Sequence, residues 1–319
     1  MKEYRMENTM NDYTNEKLFT PKLSRVRTFL FGALAFVWLS EMIFLGFPSL
    51  AKVHSHMWQV PIPENPQLET ALYIAWALSA PVKGALFVMA IIGLMSKNPA
   101  TRAVLFASMS LIPLLNIAFP FRQQGFLFGP VAVATAFSII LWGSFFFIRE
   151  RIQQPEQSRT GGSAQLPPSR WEIFQYVWFA GSSAFLTLTA FLFLFETRTT
   201  LNFIFPCLSA LMNANEGGLS SPIHSTMAAG THVLALSIAS WIATVRCRSN
   251  RTLRNAMTIA SIVFAVLIFV FPLRQLMTSF EENGTTPSAL IPFTLLLAGW
   301  FIYAALSQKW NLKNDKNKI

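Results

Sequence analysis

Charge is what this sequence has least of. Asp, Glu, Lys and Arg make up 13% of its 319 residues, half the ~25% of a soluble domain. A disordered chain and an ordinary soluble enzyme are both disfavoured by that figure. Cysteine is nearly absent as well, with Cys207 and Cys247 alone, which excludes a disulfide framework and a cysteine metal cluster. Four histidines, His54, His56, His224 and His232, are the only imidazoles. The chain has no phosphate-binding glycine loop, nucleophile elbow, HExxH, Cys-x-x-Cys or paired carboxylates at catalytic spacing. No lysine stands in the last apolar run to hold a retinal-type chromophore. Nothing marks the chain as an enzyme.

What is present is apolar. Hydrophobic residues reach 53%, aromatics 14%, and mean hydropathy is +0.42. A bilayer core needs ~20 apolar residues per helix. Eight runs meet or approach that length: Thr28–Phe47, Ala71–Met95, Ala103–Phe121, Phe126–Ile148, Ile173–Phe195, Thr226–Val245, Ala256–Leu273 and Ala289–Leu306. Strand-like alternation with turn spacing is missing, which argues against a β-barrel. The expected fold is an all-α integral membrane protein of eight spans.

The net charge of +10 would suggest nucleic acid in a soluble protein. In a membrane chain it reads as topology, because Lys and Arg collect at cytoplasmic helix ends. With the N-terminus inside, 20 of the 25 basic residues fall on inner segments. Only Lys52, Arg122, Arg198 and Arg274 fall outside, and Lys83 lies within a span. One missed span would scramble that division. Both termini are therefore expected in the cytoplasm, in a plasma or bacterial inner membrane. Cys207 and Cys247 then lie on opposite sides and cannot pair.

The chain also repeats itself. Phe119-Pro120-Phe121-Arg122-Gln123 corresponds to Phe271-Pro272-Leu273-Arg274-Gln275, 152 residues on, and the same offset matches Asn98 with Asn250 and Arg102 with Arg254. Ala35–Glu41 resembles Ala190–Glu196, and the fourth and eighth spans both open with Pro-x-Ala, at Pro130 and Pro287. The expected organisation is a tail over 1–27, a four-helix repeat over 28–148, a linker over 149–171, a second repeat over 172–307 and a basic tail over 308–319. The linker is rich in Gln, Ser, Gly and Pro, the composition of a flexible connection. An even number of spans per repeat inserts both halves the same way up. The repeats are then related by a pseudo-twofold axis along the membrane normal. The outer loops Pro48–Thr70 and Glu196–Ser225 are long enough to carry structure of their own.

The informative charges are those that topology leaves over: Glu41, Lys83, Arg122, Glu196 and Arg274. One reading joins Glu41 to Arg122 and Glu196 to Arg274 as a charge-assisted staple in each repeat. Another turns the two arginines toward a shared outer cavity, where they bind an anionic head group or substrate. Lys83, two residues after Pro81, costs ~2.5–3.5 kcal/mol to insert at mid-span and must face protein or water. Glu41 is its candidate partner. His54, His56 and His224 could converge as a metal site, and His232 could serve as an axial haem ligand. The opposing reading hydrogen-bonds His232 beside Thr231. Ser182, Ser183, Thr187, Thr189, Thr226, Thr231, Ser237 and Ser240 make the fifth and sixth spans polar, for packing or for a cavity. Asn283-Gly284-Thr285 is a formal glycosylation acceptor and equally an ordinary turn.

Three functional classes follow. The first binds or transports a lipid, ion or small amphiphile in a cavity between the repeats, with Arg122, Arg274, Glu41, Glu196, Lys83 and His232 as ligand-binding candidates. The second is a membrane redox protein using haem, metal or quinone. The third is an accessory subunit whose aromatic faces pack against other membrane proteins. The lipid bilayer is a partner in all three, and nucleic acid in none.

Overall fold

The computed structural model describes residues 21–58, 62–118, 170–204, 220–246, 250–268 and 270–271. Among these the chain is helical without strands. The helices are α1 (Pro21–Gly46), α2 (Pro48–Trp58), α3 (Pro66–Met95), α4 (Pro99–Ala118), α5 (Arg170–Phe195), α6 (Thr197–Ile204), α7 (Ser220–Val245) and α8 (Arg251–Ile268). Five of them are long and apolar enough to cross a membrane: α1, α3, α5, α7 and α8. Apolar runs of this length fold as helices in lipid because every backbone N–H must find a partner within the segment. The chain is a membrane protein by that measure. The expected spans Phe126–Ile148 and Ala289–Leu306 lie outside the described residues, as do Arg122, Arg274, Cys207, Cys247 and Asn283.

The helices outrun the apolar stretches that announce them. α1 begins at Pro21, seven residues before the apolar run and inside the segment expected as a tail. Four helices, α1 to α4, start on proline, whose fixed φ and missing N–H suit the first helical position. α4 and α8 are each capped by an asparagine. Asn98 Oδ1 accepts from the amides of Ala100 at 2.9 Å and Thr101 at 3.2 Å, and Asn250 Oδ1 accepts from that of Leu253 at 3.0 Å. An asparagine at this position meets amides that have no partner in the helix itself.

Each of the two long loops, after α1 and after α5, contains a short helix after a single-residue bend. α1 bends at Phe47 into α2, and α5 bends at Glu196 into α6. α2 is anchored on α3 by a Lys52–Glu69 ion pair of 3.3 Å, with Tyr73 donating to the same carboxylate at 2.8 Å. Its inward face, with Ala51 and Ser55 buried, closes a small cluster of Leu45, Leu72, Tyr73 and Trp76.

α3 and α7 occupy the centre. Their most apolar windows are 61% and 67% buried, against 28%, 39% and 33% for α1, α5 and α8. α1 packs along α3, and α5 along α7. α3 and α7 also pack on one another, while α3 meets α8 and α7 meets α4. Phe31, Phe106, Phe179, Leu86, Met89 and Leu236 fill the shared core. Glycine permits the closest approaches. A Cβ at Gly84 of α3 would strike Leu267 of α8, and one at Gly230 of α7 would lie 2.9 Å from Phe193 Cβ of α5. Small residues at such crossings let helix backbones approach in lipid, where van der Waals packing is a main attractive force.

The polar runs expected as the fifth and sixth spans are α5 and α7; Ser183, Thr187, Ser237 and Ser240 join their hydroxyls across the pair, while Ser182, Thr189 and Thr226 donate to carbonyls of their own helices. Ser183 Oγ meets Ser240 Oγ at 2.7 Å, Thr187 Oγ1 meets Ser237 Oγ at 2.7 Å, and Trp241 Nε1 donates to Thr187 at 3.0 Å. This is the packing reading of those residues. Outward-facing apolar side chains such as Phe29 and Phe36 on α1 and Val177 and Leu188 on α5 remain exposed, as expected of lipid-facing positions.

Candidate functional site

Glu41 sits five residues before the C-terminal end of α1. Its carboxylate is held on both oxygens. Oε2 pairs with Nζ of Lys83, from the middle of α3, and Oε1 lies 3.3 Å from Nε2 of His54, on α2. The Lys83 side chain is 7% exposed, His54 12% and Glu41 22%. The pairing of Lys83 with Glu41 meets the requirement that an ionisable group in a span face protein or water. Neither charge can leave lipid-depth surroundings cheaply, so each stabilises the other's burial.

The cluster extends across to α7. Trp76, two turns before Lys83 on α3, stands against the His54 ring with centroids 6.1 Å apart and donates from Nε1 to Ser225 Oγ of α7 at 2.9 Å. Trp38, one turn inward of Glu41 on α1, meets the His232 ring of α7 edge to face, at 5.3 Å and 86°. His232 is 5% exposed. Its Nδ1–H donates to the Ala228 carbonyl one turn earlier. Beside it, Thr231 donates to Asn116 Oδ1 of α4 at 2.6 Å. Five helices therefore contribute polar or aromatic groups to one region: α1, α2, α3, α4 and α7.

Of the residues singled out from sequence, Glu41, Lys83, His54 and His232 come together. His232 bonds within its own helix beside Thr231, and its contact across the bundle is the Trp38 ring. Glu196 does not join them. The expected equivalence of Glu41 and Glu196 needs correction, because Glu41 lies inside α1, six residues before its bend, whereas Glu196 is the bend residue itself. Glu196 is exposed and accepts from Thr199 Oγ1 at 3.1 Å. Arg122 and Arg274 are outside the described residues, so the arginine staple is not visible. Glu41, its would-be partner in the first half, has both oxygens engaged by Lys83 and His54.

The histidines are spread out. His56 is exposed on α2, and His224 is half-buried near the start of α7. Among the described residues no three of His, Cys, Asp and Glu gather closely enough to hold a metal ion.

Sequence reasoning missed Trp38, Trp76, Ser225 and Asn116. A tryptophan one turn from an intramembrane glutamate was a legible signal, since a buried indole N–H needs an acceptor. The partners of Trp76 and Thr231 lie 149 and 115 residues away, and no local pattern points to them.

Chemically, the region offers a carboxylate and an ammonium that offset each other, and an imidazole of α7 against an indole of α1. No protein family, curated protein or solved structure matches the chain.

Proposed function

We propose that the chain is an eight-span membrane protein built from two tandem four-helix repeats, with both termini in the cytoplasm, and that it binds a small amphiphile between them. The repeat is supported by recurrence of one order: long helix, bend, short helix, long central helix, asparagine-capped helix. It is supported further by the caps themselves. Asn98 and Asn250, 152 residues apart, touch: Asn98 Nδ2 donates to Asn250 Oδ1 at 3.4 Å. Equivalent residues meet one another only close to a twofold axis. Thr101, the third residue of its capping turn, donates to the same Asn250 oxygen at 3.0 Å.

The functional reading rests on one observation, the Glu41–Lys83 pair with His54 on its second oxygen, one turn from the contact of Trp38 with His232. A buried ion pair contributes little net stability compared with apolar residues of similar volume. Groups of this kind within spans mark ligand or ion pathways by default. Their position on the α1–α3–α7 seam supports a binding region between the halves.

The test is co-purification. Protein extracted in mild detergent is analysed by mass spectrometry for tightly held amphiphiles, beside the double variant Glu41→Leu with Lys83→Met. That variant removes both charges together and leaves no orphan ammonium to unfold the chain. A near-stoichiometric amphiphile in the native protein, lost in the variant, supports the reading. Equal amounts in both, or none in the native protein, overturn it.

A further inference from the structure

Resting on that reading, we propose that the contact of Trp38 on α1 with His232 on α7 selects an amphiphile with a neutral hydroxyl head group, such as a long-chain alcohol or a phenol. Two atoms carry the inference. Trp38 is 8% exposed, and its Nε1–H is buried with no hydrogen-bond partner. In a bilayer such a donor costs several kcal/mol, about 2–7 on transfer scales. It therefore calls for an acceptor that the described residues do not supply. The second atom is Nε2 of His232. A carbonyl only accepts, so the contact with Ala228 commits the proton to Nδ1 and leaves the lone pair of the neutral ring on Nε2. The ring is 5% exposed, and a second cation beside Lys83 would be costly there.

The two rings stand edge to face with centroids 5.3 Å apart. One donor and one acceptor thus belong to two rings in contact, within the apolar core that also holds Ala35, Val82, Ala85, Leu86 and Leu236. A hydroxyl answers both at once: its oxygen accepts from Trp38 and its proton goes to His232. A carbonyl or an ether accepts from Trp38 but gives His232 nothing. An alkylammonium gives His232 a proton but cannot serve Trp38. A carboxylate has no proton to give, and the ammonium that would draw it in is already paired with Glu41.

The test uses the full-length protein in lipid nanodiscs and a hexadecanol that carries a photoreactive diazirine in its chain. Labelled peptides are mapped by mass spectrometry, and competition by unlabelled hexadecanol, hexadecyl methyl ether and palmitate is compared. Saturable labelling of α1 and α7 peptides is expected. Hexadecanol should compete about 10-fold better than the ether, the effect of one buried hydrogen bond. Trp38→Phe keeps an aromatic ring in place and should lower hexadecanol affinity by about the same factor. His232→Phe should abolish the preference for alcohol over ether.

Equal competition by alcohol and ether overturns the hydroxyl assignment, because an amphiphile site then exists without this selectivity. Stronger competition by palmitate overturns it in favour of a carboxylate ligand. Affinity unchanged by Trp38→Phe shows that the indole is met by something else, such as an ordered water, and also overturns it. Unsaturable labelling spread over all helices removes the amphiphile site and the hydroxyl assignment together.

Discussion

Breaking the Glu41–Lys83 pair from either side should have unequal consequences. Glu41→Gln leaves the Lys83 ammonium 7% exposed and without a countercharge. Removing one partner of a buried pair costs about 3–5 kcal/mol. The lower end applies here, because Glu41 keeps 22% exposure and water can reach what remains. Lys83→Met is milder. The carboxylate left behind still has His54 at 3.3 Å, and a hydrogen bond to a charged group contributes about 1.5–3 kcal/mol. A net loss of about 1–3 kcal/mol follows for Lys83→Met. The double variant Glu41→Gln with Lys83→Met strands no charge and should lie within about 1–2 kcal/mol of the native protein. The cycle therefore closes with an interaction energy of at least about 2 kcal/mol. The assay is unfolding in mixed micelles of rising dodecyl sulfate content, followed by far-ultraviolet circular dichroism on all four proteins. If Glu41→Gln costs less than about 1 kcal/mol, or if the double variant costs the sum of the two singles, the charges are not a mutually compensating buried unit.

Two further outcomes follow from the same structure. Asn250→Ala removes the cap of α8 and the shared acceptor of Asn98 and Thr101. It should cost about 2 kcal/mol in the same assay, near the upper end for a lost cap. Asn98→Ala, which keeps the Thr101 bond to Asn250, should cost about 1 kcal/mol; an equal loss from both would show that the Thr101 bond contributes nothing. For topology, single cysteines at Lys52 and at Arg251, both exposed, are placed in a chain with Cys207 and Cys247 changed to Ser. A membrane-impermeant maleimide added to intact cells should label the first and reach the second only after permeabilisation, and labelling of both from one side would sink the proposed orientation.

How far the site could be read from sequence depended on what each residue costs to place. Glu41 and Lys83 are legible because an ionisable side chain in an apolar run has few places to go, and each was the other's available partner. His54 was not legible as the second ligand of Glu41. Its bond depends on α2 folding back over the end of α1, which is fixed by Lys52 on Glu69 and by burial of Ala51 and Ser55. Those are tertiary contacts between residues that look like an ordinary polar loop. Glu196 was misplaced for a related reason. Phe- and Leu-rich spans align in several registers with similar scores, and only the bend shows that Glu41 and Glu196 stand at different heights. Helix ends were missed outward, because a span is recognised by its apolar length while the helix continues from Pro21 and Pro66 through polar residues.

In the proposed repeat, the places where the halves differ are the informative ones. Counting back from the cap asparagines, the position equivalent to Lys83 is Ala235, and the position equivalent to His232 is Ala80; both alanines are fully buried. Counting back from the bends, the position equivalent to Glu41 is Ala190, also buried. Glu41, Lys83 and His232 thus each correspond to an alanine. The reason is geometric. α3 and α7 pack on each other at the centre, so a lysine at both equivalent positions would bring two cations toward the same axis, and like charges at low dielectric repel by several kcal/mol. Alanine avoids that and leaves volume for one long side chain. A frame that can be symmetric in its caps, bends and crossings cannot be symmetric in its charges. If the halves enclose a ligand, they enclose one per chain, with its head group toward the α1–α3 side of the seam and His232 as the contribution of the second half.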